Sequence, residues 1–285
     1  MMKTGLLAVS VAVAVSSAFA EVSAGENSIC VRTPSLRVTL PKDRNYCPVM
    51  EGIVPDGRFG VLLQTKIWYH GRTGNAERFY QDQDEFSWPT ESRETTDSAA
   101  VVRTGTVDYD VRREVSVEAA DPEAVRLDYL VTTKENRFYD PIDFPLMYFS
   151  KEAASVSYDD GTLDGFRTAA NPSKADLVRS RACILHFPKR GKSLLMLVDV
   201  NRPLALGHKV GLSVFQSVNG WSRVFNFHPL GYEEFPFFAK GTQFGVRLWF
   251  KLLDGDSRTP EQVAAARTLA AAVGATNAAF DRTAF

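Results

Sequence analysis

Apolar and polar residues alternate with a period of two along much of this chain, and this alternation restricts it to β-structure. The segment "FGVLLQTKIWYH", residues 59–70, is the longest such stretch in the first half of the sequence. Successive side chains of a strand point to opposite faces, so the pattern gives one apolar and one polar face. We predict that Val61, Leu63, Ile67 and Tyr69 lie in a core and that Gln64, Lys66, Trp68 and His70 share the other face.

Similar strand patterns recur to the end of the chain. "SLLMLVDV" is almost wholly apolar, which is typical of a central strand covered on both faces. "FGVRLWFKLL" alternates again, with the apolar residues Phe244, Val246, Leu248, Phe250 and Leu252 predicted to face the core. The order of strands predicts an all-β fold, a large antiparallel two-sheet sandwich, as a single domain over residues 21–285.

One helix is predicted near the C-terminus, at about residues 260–273. Thr259 is a suitable N-cap, Pro260 takes the first helical position, and Gln262 completes a capping box. The segment is rich in alanine and is followed by Gly274, a residue typical of helix ends. We expect its alanine-rich face to lie against the sandwich.

The N-terminus has the pattern of a signal peptide. Lys3 precedes an apolar run over residues 6–15, and small residues lead to Ala18-Phe19-Ala20, an A-x-A cleavage site before Glu21. A membrane anchor is the alternative, but it requires about 20 apolar residues. We therefore expect residues 1–20 to be removed and the protein to be periplasmic or extracellular.

Three cysteines occur in this chain, Cys30, Cys47 and Cys183. An oxidising compartment favours disulfides, and an odd count leaves at least one cysteine unpaired. Cys30 and Cys47 flank one short segment and are the predicted disulfide. Cys183 lies in the apolar pattern "RACILHF" and is predicted to be a buried thiol rather than a nucleophile.

Composition and motif spacing argue against several classes of protein. The formal net charge is −1, which gives no electrostatic footprint for nucleic acid. The four histidines lie far apart, without the HxH or HExxH spacing of a metal site. We expect no nucleic-acid partner, no transmembrane segment in the mature chain, and no metal or other cofactor. A protein partner is left open.

The segment of residues 66–94 mixes aromatic residues with amides, acids and arginines. Sugars present apolar C–H faces ringed by hydroxyl groups, so their sites combine a flat aromatic ring with planar polar groups. The alternative is a long loop whose aromatics only pin it to the sandwich. The predicted ligand-binding residues in and beside this segment are Gln64, Lys66, Trp68, His70, Arg72, Arg78, Trp88 and Glu91.

The segment "FNFHPLGYEEFPFFAKG", residues 225–241, supplies the candidate catalytic residues His228 and Glu233. An imidazole beside a carboxylate can carry acid–base chemistry near neutral pH. Tyr232 is a further candidate ligand-binding residue. The alternative is a histidine bonded to loop backbone beside solvated glutamates. We predict that His228 and one of Glu233 or Glu234 line the same groove as Trp68 and Trp88.

A third segment, "ENRFYDPIDFPLMYF", residues 135–149, contains two prolines and five aromatic residues. Asn136, Arg137, Asp140 and Asp143 are polar residues that a cleft can use. Pro-aromatic stretches commonly seal the edges of sheets, however, so a structural role is favoured for this segment.

Two stretches, "AVRLDYLVTTKENRFYDPIDFPLMYF" and "FFAKGTQFGVRLWFKLLDG", resemble parts of the galactose-mutarotase-like β-supersandwich. The first resembles a strand that ends in an asparagine-containing turn, and the second resembles a closing strand after a glycine turn. The resemblance implies a two-sheet fold and a carbohydrate ligand. Mutarotases use a histidine as acid and a glutamate as base, and His228 and Glu233 are the nearest residues of those types. It therefore implies carbohydrate binding more readily than epimerase activity.

Three functions remain in competition at this stage. The first is an exported carbohydrate-binding or carbohydrate-processing protein. The second is a structural or partner-binding protein of the cell envelope, which would present its aromatics as an exposed apolar patch. The third is a lyase or hydrolase acting on acidic polysaccharide, for which Lys66, Arg72, Arg78 and Arg93 are candidates for a basic cleft.

Overall fold

The computed structural model describes residues 21–73, 77–84, 87–106, 108–159, 163–169, 181–199, 211–216, 223–228 and 237–275. Within residues 68–73, 77–84, 137–144, 211–216 and 223–228 only the backbone is described. Nineteen strands, numbered in chain order, form two antiparallel sheets in this part of the protein. The predicted fold class, a large antiparallel two-sheet sandwich with a short C-terminal helix, is confirmed.

The first sheet has ten strands in the described part of the chain. Eight of them follow the order β1-β2-β3-β4-β5-β11-β17-β16, while β6 pairs with β5 and β18 pairs with β11. The strands are β1 Glu21–Ala24, β2 Ser28–Arg32, β3 Leu36–Pro41, β4 Val49–Val54, β5 Gly57–Thr73, β6 Glu77–Asp84, β11 Arg137–Phe149, β16 Gly211–Gln216, β17 Arg223–His228 and β18 Phe237–Phe238.

The second sheet has nine strands among the described residues. Their order is β13-β12-β14-β15-β19-β10-β9-β8-β7. The strands are β7 Thr90–Thr95, β8 Ala99–Gly105, β9 Tyr109–Glu118, β10 Asp121–Thr133, β12 Ser155–Tyr158, β13 Arg167–Ala169, β14 Ala182–Phe187, β15 Lys192–Val198 and β19 Gln243–Asp254. Two 3₁₀ turns, Lys42–Arg44 and Pro188–Arg190, complete the short elements that are described.

The main hydrophobic core lies between the sheets. It contains the predicted inward residues of β19, and both sheets contribute to it through residues such as Val31, Val61, Leu127 and Leu248. A second core lies on the outer face of the nine-stranded sheet, where Leu195, Leu197 and Trp249 pack with residues of the C-terminal helix. Strand β15 contributes to both cores, as its apolar sequence predicted.

The C-terminal helix, α1, spans Pro260–Ala272. Thr259 accepts a hydrogen bond from the backbone N–H of Gln262, so the predicted N-cap is confirmed. The second half of the capping box is wrong, because the Gln262 side chain donates to the carbonyl of Asp254 at 2.8 Å instead. Ala266, Leu269 and Ala270 are buried against the second core, which confirms the predicted docking of the alanine-rich face.

Among the β5 residues whose side chains are described, the predicted faces hold except at one point, while the side chains of Trp68, Tyr69 and His70 lie outside the described part. Val61 and Ile67 are buried, but Leu63 is 40% exposed, and the prediction that it lies in the core is wrong. Leu62 pairs with both Met50 and Phe149, while Gly60 pairs with Glu51 and Gln64 with Tyr148. One β5 residue is therefore skipped on each side, and such bulges interrupt the alternation of faces that the sequence suggests.

Candidate functional site

The outer face of the ten-stranded sheet along β5 is called the β5 face here. It is the side opposite the buried residues Thr65 and Ile67, and it includes Gln64 and Lys66, which are half-buried. The Lys66 ammonium lies 5.5 Å from the ring centroid of Tyr148, a cation–π distance. The predicted position of Gln64 and Lys66 on the side away from Ile67 is thus confirmed.

Strand β6 places further polar positions beside β5. Its register sets Asp82 opposite Trp68, Tyr80 opposite His70, and Arg78 opposite Arg72. Direct partners in an antiparallel pair occupy the same face of a sheet. The β5 positions predicted to bind a ligand therefore stand in a row with an acidic, a phenolic and a basic position.

Strand β11 adds two acidic positions on the other side of β5. Asp140 is the partner of His70 and Asp143 is the partner of Trp68. In a regular strand, positions 140 and 143 would fall on opposite faces, since they are an odd number of residues apart. The register shifts between Asp140 and Ile142, at Pro141. Both aspartates therefore pair with β5 positions on one face, Asp140 with His70 and Asp143 with Trp68.

The prolines of this strand explain its irregular register. A second shift lies between Asp143 and Leu146 and contains Pro145. Proline has no N–H to donate to a ladder, so within sheets it occurs at edges and bulges. The segment that sequence analysis favoured as a structural seal is paired with the predicted binding strand. In the sequence, the two prolines are the residues that indicate these two shifts in register.

Phe237 extends the β5 face at its far end. It is the β18 partner of Phe138, and Phe138 is the partner of Arg72 on β5. Phe237 is 49% exposed, whereas its neighbour Phe238 is buried in the main core. An exposed aromatic ring on a face with acidic and basic positions is a surface on which a sugar ring can stack. Sequence analysis noted this segment without choosing Phe237.

Two other predicted ligand-binding residues lie elsewhere. Trp88 is 2% exposed and belongs to the main core, so its assignment as a ring exposed for stacking is wrong in this structure. Glu91 lies on β7, in the nine-stranded sheet, 3.9 Å from the ammonium of Lys134. The burial of Trp88 supports the alternative interpretation of its segment, in which the loop aromatics anchor the loop to the sandwich.

The predicted catalytic pair is only partly within the described residues. His228 ends β17 as the partner of Gly211, and β17 pairs with β11 through positions 147–149. Tyr232, Glu233 and Glu234 lie outside the described residues. Because Trp88 is buried in the core, the predicted groove shared by His228 and both tryptophans does not include the Trp88 indole.

The predicted disulfide between Cys30 and Cys47 is wrong, since both are free thiols in this structure. Cys30 lies between the buried residues Ile29 and Val31 on β2, so it points away from the main core. Cys47 is buried, with its Sγ atom 3.3 Å from Thr65 Oγ1. Cys183 is buried as predicted, and desolvation raises the pKa of its thiol well above the ordinary value.

A serine–histidine cluster inside the nine-stranded sheet has the composition of a catalytic centre. His186 lies 2.7 Å from Ser157 Oγ through Nε2 and 2.8 Å from Ser193 Oγ through Nδ1. Ser193 also donates to the carbonyl of Gly255, and Gln262 donates to Ser193. His186 and both serines are fully buried, so a substrate cannot reach them. The cluster ties β12, β14 and β15 to helix α1.

The rest of the nine-stranded outer face is rich in ion pairs. Glu114 lies 2.6 Å from Arg112 and 2.7 Å from Arg126, and Asp128 lies 2.9 Å from Arg247. Burial alone would raise the pKa of Glu114, but the hydrogen bonds and charges of the two arginines outweigh it and lower that pKa. These charges stabilise one another.

The described residues contain no group of three or more histidine, cysteine, aspartate or glutamate residues placed to hold a metal ion. Among the same residues, no helix is long and apolar enough to cross a membrane.

No family model matches this chain, and no curated protein matches it in sequence. Solved structures match it in fold. The α-N-acetylgalactosaminidase NagBb from Bifidobacterium bifidum, in complex with GalNAc, aligns with a TM-score of 0.53 and 10% identity over 87% of this chain. A TPR-domain-containing protein from Parabacteroides distasonis aligns with a TM-score of 0.50 and 9% identity over 81% of this chain.

This chain spans about two fifths of the galactosaminidase, 39%, and about half of the TPR-domain protein, 47%. Structures named as mutarotases or aldose epimerases are also among the matches, with TM-scores below 0.5. A putative aldose 1-epimerase from Klebsiella pneumoniae aligns with a TM-score of 0.46 and 12% identity over 88% of this chain and 84% of that one. The two-sheet sandwich predicted from the sequence is thus shared with the galactosaminidase over most of this chain.

Proposed function

We propose that this protein is exported and binds carbohydrate on the β5 face. The observation that carries the proposal is the register around β5. It sets Trp68 opposite Asp82 and Asp143, and His70 opposite Tyr80 and Asp140. Aromatic positions flanked by hydrogen-bonding positions on both sides are the composition that a sugar site requires.

The described side chains at the two ends of this row support the proposal. Phe237 is an exposed aromatic ring at one end. At the other end, Gln64 and Lys66 supply an amide and an ammonium group on the same face. Planar amides and charged donors suit sugar hydroxyl groups, which both donate and accept hydrogen bonds. We therefore expect a carbohydrate ligand to contact residues at both ends of the row.

The name of the galactosaminidase match adds a second line of support. That protein is an α-N-acetylgalactosaminidase observed with GalNAc, and it shares the fold with this chain at 10% identity. A fold hosts many functions, so the ligand of the other protein does not transfer by itself. The proposal rests on the residues of the β5 face. The match is consistent with it only in the class of ligand, a sugar.

A glycan array followed by titration calorimetry tests the sugar site. For a glycan that binds, Trp68→Ala should weaken binding about tenfold to a hundredfold, the scale of losing one central aromatic contact. Phe237→Ala should weaken it less, because this ring lies at the end of the row. Trp68→Phe keeps a stacking ring and should retain most of the affinity, while Leu63→Ala removes an exposed side chain of the same strand without a ring.

The result that contradicts the sugar site is unchanged affinity in both Trp68→Ala and Phe237→Ala. Export is tested separately, by fractionating cells that express the full chain and sequencing the N-terminus of the product. We expect the product outside the cytoplasm with Glu21 as its first residue. A cytoplasmic product that retains Met1 would contradict export and leave the test of the sugar site unaffected.

A further inference from the structure

A pocket with a cavity of about 320 Å³ lies at the edge of the ten-stranded sheet, far along it from Trp68. It is formed over strands β1 to β5, on the side of the sheet that faces away from the main core. Its polar lining consists of Glu21, Ser23, Cys30, Arg32, Arg37 and Arg58. Arg58 is paired with Glu51 at 3.1 Å, so the remaining charges of the lining are the guanidinium groups of Arg32 and Arg37 and the carboxylate of Glu21, an excess of positive charge.

Arg32 and Arg37 are direct partners in the ladder between β2 and β3. Like charges opposite each other in a sheet destabilise it, and such partners have Cβ atoms about 4.5–5.5 Å apart. On the other side of β3, Arg37 is the partner of Glu51 on β4, but the Glu51 carboxylate forms its ion pair with Arg58, at 3.1 Å. The fold thus places Arg32 and Arg37 side by side, while the neighbouring carboxylate, Glu51, is paired with Arg58.

Neither side chain of this pair is satisfied by the described residues. No hydrogen bond or ion pair within the described part of the chain involves the guanidinium group of Arg32 or Arg37. The Nε atom of Arg37 is buried and has no hydrogen-bond partner. A buried N–H without a partner costs free energy, so its retention in a pocket calls for a ligand that accepts from it.

Two arginines of the opposite sheet show the contrast. Arg112 and Arg247 each meet a carboxylate, at 2.6 Å and 2.9 Å. Both lie on strands, as Arg32 and Arg37 do, but their partners are supplied by the chain. At the pocket, the ligand has to supply the acceptor instead.

We propose that this pocket binds an oxyanion, a carboxylate or sulfate group, between the guanidinium groups of Arg32 and Arg37. The planar fork of arginine matches two oxygen atoms of such a group, and charge-assisted bonds of this kind are the strong ones. The group comes either from an acidic saccharide or from a free inorganic anion. This site is separate from the β5 row around Trp68 and does not rest on the proposed function.

Titration calorimetry with sodium sulfate and sodium glucuronate, at matched ionic strength in sodium chloride, tests the pocket. We expect saturable binding that weakens about tenfold or more in Arg32→Gln and in Arg37→Gln, the scale of losing a hydrogen bond to a charged group. Glu21→Ala should strengthen binding, because it removes the carboxylate that lines the pocket. Arg103→Gln, an exposed strand arginine in the other sheet, is the matched control and should change nothing.

The two anions distinguish the sources. Tighter binding of glucuronate supports a saccharide ligand, and tighter binding of sulfate supports an inorganic anion. Arg37→Lys keeps the charge without the fork, so it tests the pocket even where the glutamine variant folds poorly, and it should also bind more weakly.

No saturable binding of either anion, or the same loss in Arg37→Gln and Arg103→Gln, would overturn the proposal. The melting temperature gives a second readout. Without anion, Arg37→Gln should melt higher than the parent because it removes the like-charge contact, and a lower melting temperature would oppose that explanation. Trp68→Ala should leave anion binding unchanged, so failure of the sugar site and failure of this pocket are separable.

Discussion

The two sheets of this sandwich present very different outer faces. The nine-stranded sheet is covered in part by helix α1, over the core that contains Leu195, Leu197 and Trp249. Several of its charges meet partners within the chain, as at Glu114 and Asp128. This outer face, called the helix face below, is made of groups that stabilise one another.

The β5 face differs in both respects. Its sheet carries the two large apolar side chains that are most exposed among the described residues, Leu63 on β5 and Phe237 on β18. The same sheet carries two arginines, Arg32 and Arg37, whose guanidinium groups have no partner among those residues. Exposed apolar groups and arginines without a partner in the chain add little to the stability of a fold, so their occurrence on one sheet is consistent with the proposed ligand contact there. We therefore expect substitutions on the helix face to affect stability and substitutions on the β5 face to affect binding.

The largest effect should come from a matched pair of leucines. Leu197 is fully buried beneath helix α1, and Leu63 is 40% exposed on β5. Leu197→Ala should lower the free energy of unfolding by about 2–5 kcal/mol, since it leaves a cavity. Leu63→Ala should change it by no more than about 0.5 kcal/mol. Urea denaturation measures both, and equal losses would show that the two faces contribute alike to stability.

The buried serine–histidine cluster should show an intermediate effect. Ser193 lies 2.8 Å from His186 Nδ1 and donates to the carbonyl of Gly255 at 2.7 Å. Ser193→Ala removes these two buried hydrogen bonds and should cost about 1–3 kcal/mol. Ser98→Ala, at an exposed turn, is the control and should be close to neutral.

Thermal denaturation of both serine variants, with glycan binding measured in parallel, sharpens the comparison. The Ser193 variant should melt lower but bind glycan as the parent does, because the cluster is enclosed. Loss of binding without loss of stability would instead indicate that the cluster belongs to a functional site.

The smallest effect concerns the ion pairs and depends on pH. Two arginines lower the pKa of Glu114 in the folded protein. The stabilisation is therefore present above the ordinary glutamate pKa of about 4.3 and is lost as the pH falls through the lower folded-state value. Glu114→Gln should cost about 1 kcal/mol at pH 7, after allowance for solvent screening.

Denaturation curves at pH 7 and at about pH 3 check the sign, because the glutamate is increasingly protonated at the lower pH. The difference between the parent and the Glu114 variant should shrink there. Glu51→Gln, which removes an exposed pair on the ten-stranded sheet, should cost only a few tenths of a kcal/mol. A pH-independent loss in the Glu114 variant would contradict the electrostatic explanation.

The sequence predicted those parts of the fold in which a local pattern decides the outcome. The alternation in residues 244–252 gave the inward face of β19, and the apolar run of β15 gave a strand covered on both sides. Thr259 and Pro260 marked the start of the helix, because capping depends on neighbouring residues. These features required no knowledge of distant partners.

The errors arose where distant partners decide the outcome. Leu63 is exposed because pairing with β4 and β11 breaks the alternation of β5 at bulges. Trp88 is buried because the core accepts its ring, and its loop composition carries no sign of that. Cys30 and Cys47 are close in sequence, but one points away from the core and the other into it.

The candidate site was predicted in part. Sequence analysis selected the β5 positions Trp68, His70 and Arg72, and the register places acidic, phenolic and basic positions beside them. It did not select Asp140 and Asp143, because their position opposite β5 depends on a shift in register at Pro141. Proline in a strand signals such a shift, but its direction follows only from the pairing.

Hydrogen–deuterium exchange with and without a bound glycan tests the central claim most directly. Binding on the β5 face should slow amide exchange within residues 64–73, 77–84 and 137–144, the segments that carry the paired positions of the site. The strands β8, β9 and β10 and helix α1 should exchange as before. Slower exchange confined to the nine-stranded sheet or to α1, with none on β5, β6 and β11, would contradict the account.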